Sequence, residues 1–365
     1  MIEVVFAILF VPFSALLFYS NLSKSSYKTR NYNYAFFVFI LLFVISGFRN
    51  IEIGNDSLAY NSEFNDLEIL GSFWKIEGRL EPGYQYLCKF IKIYLSDKVN
   101  VLFIITSLFI QFFFVRFMYL NSKKLWLSVF LFISFQYYFF FVSAIRQAIA
   151  QVICLIAYEY LKKDKLKYFF GYILLAFTFH YSSLIFAILP LFRKLKFTFK
   201  KVLVSIVIAS FLFVVLTPVL QYIVPSISYG TDYLDGGVSD DLSTRLASIL
   251  LALMSFLIVL FAFKFNYHKN AETNVCVRFE LWCSLISLFI GVLAIKFGIL
   301  IRFTYYFGLF SIVMIPNIIS TIQNSKMKNI MTKGWFIITF VNICVILYNR
   351  PEWFNFYPYK FYWEK

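Results

Sequence analysis

Ten apolar runs constrain this chain before anything else does. They lie near 2–19, 34–48, 99–120, 125–142, 144–160, 202–224, 246–263, 279–297, 301–320 and 334–348. A helix crosses a bilayer with about 20 apolar residues, and one soluble core cannot hide so many such segments in 365 residues. Hydrophobic residues reach 61% and charged ones fall to 15%, against ~45–50% and ~25% in soluble domains. The expectation is an all-α polytopic transmembrane helical bundle of about ten spans. A soluble enzyme, a secreted disulfide scaffold and a disordered tail are excluded. The five cysteines have no CxxC spacing, and there are two histidines, so neither a metal site nor a cofactor is expected. Residues 2–19 carry no basic leader and no small-residue cleavage site, and read as a retained first helix.

The net charge of +15 reads as topology rather than as affinity for nucleic acid. One set of loops holds 20 basic residues and four acids, Glu159, Asp164, Glu272 and Glu280; the other side holds the remaining 15 acids. Basic loops face the cytoplasm. Both termini, segment 49–98 and an acidic loop at 225–244 then face outward. The apolar stretch 168–192 breaks the alternation, because basic loops 162–167 and 193–201 flank it. Two crossings need ~40 residues, so a re-entrant hairpin is expected, with His180-Tyr181-Ser182-Ser183 at its tip. Irregular backbone at that depth must be buried in protein or line a wet cavity.

Basic residues that break the sidedness pattern are the informative ones. Arg49, Arg146, Arg245 and Arg302 each sit at the outward end of a span, and together they form a candidate phosphate-binding cluster. Arginine's planar fork suits phosphate oxygens. Ser143, Gln147 and Gln151 recur every four residues beside Arg146, so they share one helix face, which should look at protein or water. Segment 49–98 is too long for a plain connector. In it, Gly54-Asn55 marks a turn, Asp56 is placed to cap a following helix, and Pro82 opens an amphipathic helix over 82–95. Asp56, Glu81 and His180 are candidate bases for a hydroxyl. Asp232, Asp235, Asp240 and Asp241 lack the spacing of a calcium loop.

The order Arg49…Gly54-x-Asp56…Tyr60, Glu81-x-Gly83-Tyr84, Arg146-Gln147-x-x-Ala150, Phe179-His180-x-Ser182, Arg302-x-x-Tyr305-Tyr306 and Tyr357-Pro358-Tyr359 resembles the EpsG family. These bacterial polysaccharide polymerases are similar to Wzy-type O-antigen polymerases. The resemblance implies a GT-C-like membrane glycosyltransferase of the bacterial inner membrane, working at its periplasmic face without metal or nucleotide sugar. Its donor and acceptor would be oligosaccharide repeat units on undecaprenyl pyrophosphate, with a chain-length regulator as a candidate partner. By the same resemblance, Arg49, Arg146 and Arg302, with Arg245 from the charge pattern, would hold pyrophosphate. Tyr60, Gln147 and Tyr305 would contact substrate, and Asp56, Glu81 or His180 would serve the acceptor hydroxyl. Two rivals remain. A flippase of lipid-linked oligosaccharide would show repeated halves and midplane charges. A glycan acyltransferase would use a His–Asp or His–Glu pair but leave the arginines unexplained.

Overall fold

The computed structural model describes residues 2–19, 26–67, 80–223, 242–350 and 353–364. The acidic loop expected at 225–244, with its aspartates, lies largely outside these. In chain order the helices are α1 (Ile2–Tyr19), α2 (Tyr27–Gly47), α3 (Ser57–Asn65), α4 (Pro82–Tyr94), α5 (Val99–Asn121), α6 (Leu125–Ser134), α7 (Tyr137–Ser143), α8 (Ile145–Lys162) and α9 (Leu166–Phe179). After a 3-10 helix at Tyr181–Phe192 come α10 (Phe199–Ile223), α11 (Leu242–Lys264), α12 (Val275–Ala294), α13 (Ile301–Gly308), α14 (Ser311–Thr321) and α15 (Ser325–Asn349). Among the described residues the sole β pairing is an isolated antiparallel bridge between Arg49 and Phe361.

The protein is thus an all-α polytopic membrane protein. Against about ten expected spans, five helices among the described residues are long and apolar enough to cross a bilayer. The number is seven if α6 with α7, bent by 58°, and α13 with its preceding turn and α14, bent by 44°, each count as one span. The α6–α7 bend has a local cause: Gln136 sits in the left-handed region, at φ 67°, and the helix cannot continue through it. Helix α8 is a special case, because Arg146, Glu159 and Lys162 all lie on it. Helix α15 exposes Ile337, Ile338, Val341, Val345 and Tyr348, a surface that lipid tolerates and water does not.

The chain forms two units, one of residues 1–184 and 323–365 and one of 185–322. In the first, α2 starts at Ser26, whose hydroxyl accepts from the Thr29 amide. Its core is aromatic: Phe114 stacks on Phe141 at 4.7 Å and Phe130 on Phe336 at 4.4 Å. At the basic-loop end, Lys162 pairs with Glu159 at 2.7 Å and donates to Asn121 Oδ1 at 2.9 Å, tying α8 to α5.

A few polar ties hold the described parts of the 49–98 segment. Lys92 of α4 donates to the carbonyls of Phe64, Asn65 and Leu67 at 2.8–3.0 Å; a cation at the C-terminus of α3 meets both the dipole and the unpaired carbonyls. Gly54 turns with φ +94°, and its amide donates to the Asn355 carbonyl at 3.0 Å. The tail is laced to this turn again by Asn355 Nδ2 to the Glu52 carbonyl and Asn55 Nδ2 to the Trp353 carbonyl, both at 2.6 Å. Tyr359 donates to the Ile45 carbonyl. Asp56 stands just before α3, as expected, yet its own dihedrals are helical and its side chain makes no capping bond. The capping expectation is therefore corrected: a cap needs extended backbone to swing the carboxylate over the first turn.

In the second unit α11 packs on α12, with Ser255 and Ser287 hydroxyls 3.1 Å apart. The buried Glu280 carboxylate accepts from Tyr267 Oη at 2.7 Å and Asn317 Nδ2 at 3.0 Å.

Helix α4 closes against the end of α9 at Gly83, where an added Cβ would sit 2.4 Å from Thr178 Oγ1 and 2.9 Å from the Thr178 carbonyl oxygen. Gly83→Ala is expected to cost on the order of 1–3 kcal/mol, the usual penalty of overpacking, read as a lowered Tm in detergent. Gly171→Ala, which meets nothing within 4 Å, should leave Tm unchanged or raised.

Candidate functional site

Two polar side chains from distant stretches of the chain meet on one carboxylate. Glu81 ends the loop before α4 in extended backbone, at φ −63° and ψ 140°, and does not cap that helix. Pro82 follows at the first helical position, where its missing N–H costs nothing. The freed carboxylate accepts from Arg146 Nη1 through Oε2 at 2.8 Å and meets His180 Nδ1 through Oε1 at 2.8 Å. Arg146 lies in the first turn of α8, immediately after the break at Ala144. His180 occupies the break between α9 and the 3-10 helix, in extended backbone. Gly83 makes this meeting feasible, since α4 could not otherwise approach Thr178 so closely. Glu81 is 5% exposed at its side chain, against 26% for Arg146 and 16% for His180. The acid lies beneath and its two partners reach outward.

Electrostatics fix the protonation pattern. Burial alone would raise the Glu81 pKa, but the His180 hydrogen bond and the Arg146 charge outweigh it and hold the carboxyl below its ordinary value of 4.5. An ionised carboxylate accepts only, so the Nδ1 facing it carries the proton. In the neutral imidazole, Nε2 is then the basic nitrogen.

Aromatic rings frame the cluster. The Arg146 guanidinium lies 5.9 Å from the ring centres of both Tyr60 and Tyr84, and those rings are 5.8 Å apart. Burial pushes the Tyr60 phenol up to about 12, so it stays protonated. Glu63, three residues along α3 from Tyr60, also feels the Arg146 charge. Burial raises its pKa, and its Oε2 is buried without a hydrogen-bond partner among the described residues. The sequence reading missed Glu63, because a lone glutamate on a short helix looks solvated; its spacing from Tyr60 and Phe64 was the available signal. Asp56 neighbours Tyr60 electrostatically. The stripe beside Arg146 is buried, with Ser143, Gln147 and Gln151 at 5%, 2% and 0% exposure. Ser143 Oγ accepts from the Asn55 amide at 3.3 Å, which anchors the turn before α3 to the start of α8.

Arg49 occupies a different setting from the open one expected. It is 1% exposed, with its guanidinium 4.1 Å from the Phe103 ring centre and Nη1 donating to the Ser46 carbonyl. Its Nε and Nη2 are buried without a hydrogen-bond partner among the described residues. Burial lowers its pKa to about 10, which still leaves it charged at neutral pH. Tyr60 and Tyr84 are electrostatic neighbours of Arg49 as they are of Arg146. Arg245 and Arg302 belong to the second unit, where both are exposed; Tyr305 is one turn from Arg302 and senses its charge. Among the described residues no three His, Cys, Asp or Glu side chains gather as metal ligands.

The depressed Glu81 pKa has a stability consequence of definite sign. Its pairing is fully present above the unfolded value near 4.5 and is lost as pH falls through the lower folded value. The Tm advantage of the wild type over Glu81→Gln should therefore hold from pH 7 to about pH 5 and shrink on further acidification; a pH-independent difference would refute the pairing. No curated protein and no solved structure shows a significant match to the chain. The EpsG family model, however, matches residues 32–361, a span that includes Arg49, Glu81, Arg146, His180 and the tail laced over the first turn. With nearly its whole length matched, the chain belongs to the EpsG family, which is associated with Wzy-type polysaccharide polymerases and glycosyltransferases.

Proposed function

We propose that this protein polymerises a bacterial surface polysaccharide. In this reading it transfers a growing glycan from undecaprenyl pyrophosphate to a sugar hydroxyl of the next lipid-linked repeat unit, at the periplasmic face of the inner membrane. The observation that carries the reading is the shared Glu81 carboxylate, with His180 Nδ1 and Arg146 Nη1 each at 2.8 Å. His180 Nε2 takes the proton of the acceptor hydroxyl as its oxygen attacks the anomeric carbon. The bond from that carbon to the pyrophosphate oxygen breaks, and the pyrophosphate leaves with the electron pair. Glu81 acts as a positioning residue: it holds the imidazole in the tautomer with Nε2 unprotonated and stabilises the imidazolium that forms. Arg146, bound to Glu81 through one nitrogen and a quarter exposed, offers its remaining N–H groups to the leaving phosphate oxygens. Arg302 and Arg245, exposed in the second unit, are proposed to bind phosphate oxygens there. Arg49 supplies buried positive charge rather than a direct contact.

A His–Glu pair also suits acyl transfer to a sugar hydroxyl, and one experiment separates the two readings. Purified protein given a lipid-linked repeat unit alone should yield a ladder of lengthening glycans on a gel. An acyltransferase would yield none without an acyl donor, and a flippase would yield none at all. His180→Ala and Glu81→Gln should each lower the rate by roughly 10²–10⁴, the usual worth of a general base and its orienting group. A wild-type rate from His180→Ala would reject the assigned base. For sidedness, in a cysteine-free background, Asp235→Cys should react with an impermeant thiol reagent added outside and Lys165→Cys should not; the reverse labelling would overturn the orientation.

A further inference from the structure

The second unit holds a cavity that the proposed reaction does not use. Its volume is about 360 Å³, and Lys196, Lys269, Phe197, Phe263, His268 and Glu272 are among the residues lining it. The floor is aromatic. Phe197 and Phe263 stack at 5.8 Å, His268 lies against Phe263 at 4.4 Å, and Trp282 meets Phe197 edge-on at 5.3 Å. The rim is cationic. Its lining ammonium groups are those of Lys196 and Lys269; Lys201, outside the lining, donates to the Lys196 carbonyl at 2.7 Å and so places further positive charge beside that turn. The Glu272 carboxylate opposes an anion, but a cation backs its wall: Arg278 donates to the carbonyls of Ala271 at 2.8 Å and Glu272 at 2.9 Å.

What leads away from this cavity limits its occupant. Helix α10 begins beside it, and Phe199, Leu203, Val207, Phe211 and Val214 are 49–68% exposed. Their spacing of four, four, four and three puts them on one face, an unbroken apolar track running from the cationic rim along the helix. A free anion would have no use for the track, and a neutral apolar ligand none for the lysines. Anionic headgroups draw such lysine clusters beside a membrane helix, whereas zwitterionic ones do so weakly. We propose that the cavity binds the phosphate headgroup of an anionic phospholipid, its acyl chains lying along the exposed face of α10. The site is independent of the Glu81 cluster and of the polymerase reading.

Native mass spectrometry of the full-length protein in detergent tests this directly, with phosphatidylglycerol and phosphatidylcholine titrated in turn. Phosphatidylglycerol should bind the wild type, and the double variant Lys196→Gln/Lys269→Gln should bind it about thirtyfold more weakly, the effect expected of two juxtamembrane lysines. Phosphatidylcholine should bind weakly to both. The control double variant Lys163→Gln/Lys167→Gln removes the same charge from another basic loop and should bind phosphatidylglycerol like the wild type. An unchanged affinity in the first variant, or an equal loss in the control, would overturn the site. Displacement of the lipid by inorganic phosphate at matched concentration would overturn the lipid as its occupant.

Discussion

A carboxylate buried almost completely is the constraint around which the first unit is arranged. Left alone, ionised Glu81 would carry a desolvation penalty of several kcal/mol. It persists as an ion because a guanidinium from α8 and an imidazole from the break after α9 both meet it, at 2.8 Å each. Satisfying one charge thereby fixes the relative placement of α4, α8 and α9. Gly83, which lets α4 approach the Thr178 carbonyl, and the break at Ala144, which starts α8 one residue before Arg146, are local features that serve this one junction.

In the proposed reaction the same constraint gives the three groups unequal roles. Because the acid is paired, it is a poor base, and the pairing moves that capacity to His180 Nε2. Because Arg146 is paired through one nitrogen, it remains cationic and still has donors to spare. Arg49 has the opposite character. It is almost fully buried and lies over the Phe103 ring, and its charge is felt by Tyr60 and Tyr84 rather than presented as an open fork. Arginine at the end of a membrane helix is thus used here in two ways, one as a reachable donor and one as buried charge.

How far the site was legible depends on the residue. His180 and Arg146 stood out in the sequence as polar groups in apolar stretches, Glu81 stood out as a carboxylate before Pro82 in the long outer segment, and the buried Ser143–Gln147–Gln151 face followed from four-residue spacing alone. Their meeting was not legible, since Glu81 lies 65 residues from Arg146 and 99 from His180, and no local rule links such distances. Asp56 looked like a helix cap by position, but its backbone dihedrals decided otherwise. The setting of Arg49, over Phe103 and bridged through its backbone to Phe361 at the far end of the chain, was beyond the reach of any local pattern.

By itself, the sequence determined the helical class, the approximate limits of the apolar segments and the family. These depend on hydropathy and motif order, which are properties of contiguous residues. Tertiary structure alone decided which carboxylate would be paired, which arginine would be buried and which imidazole nitrogen would be left to accept a proton. Those outcomes depend on Coulomb and hydrogen-bond terms that act over a few ångströms, and only the packed helices bring residues so far apart in the chain within that range.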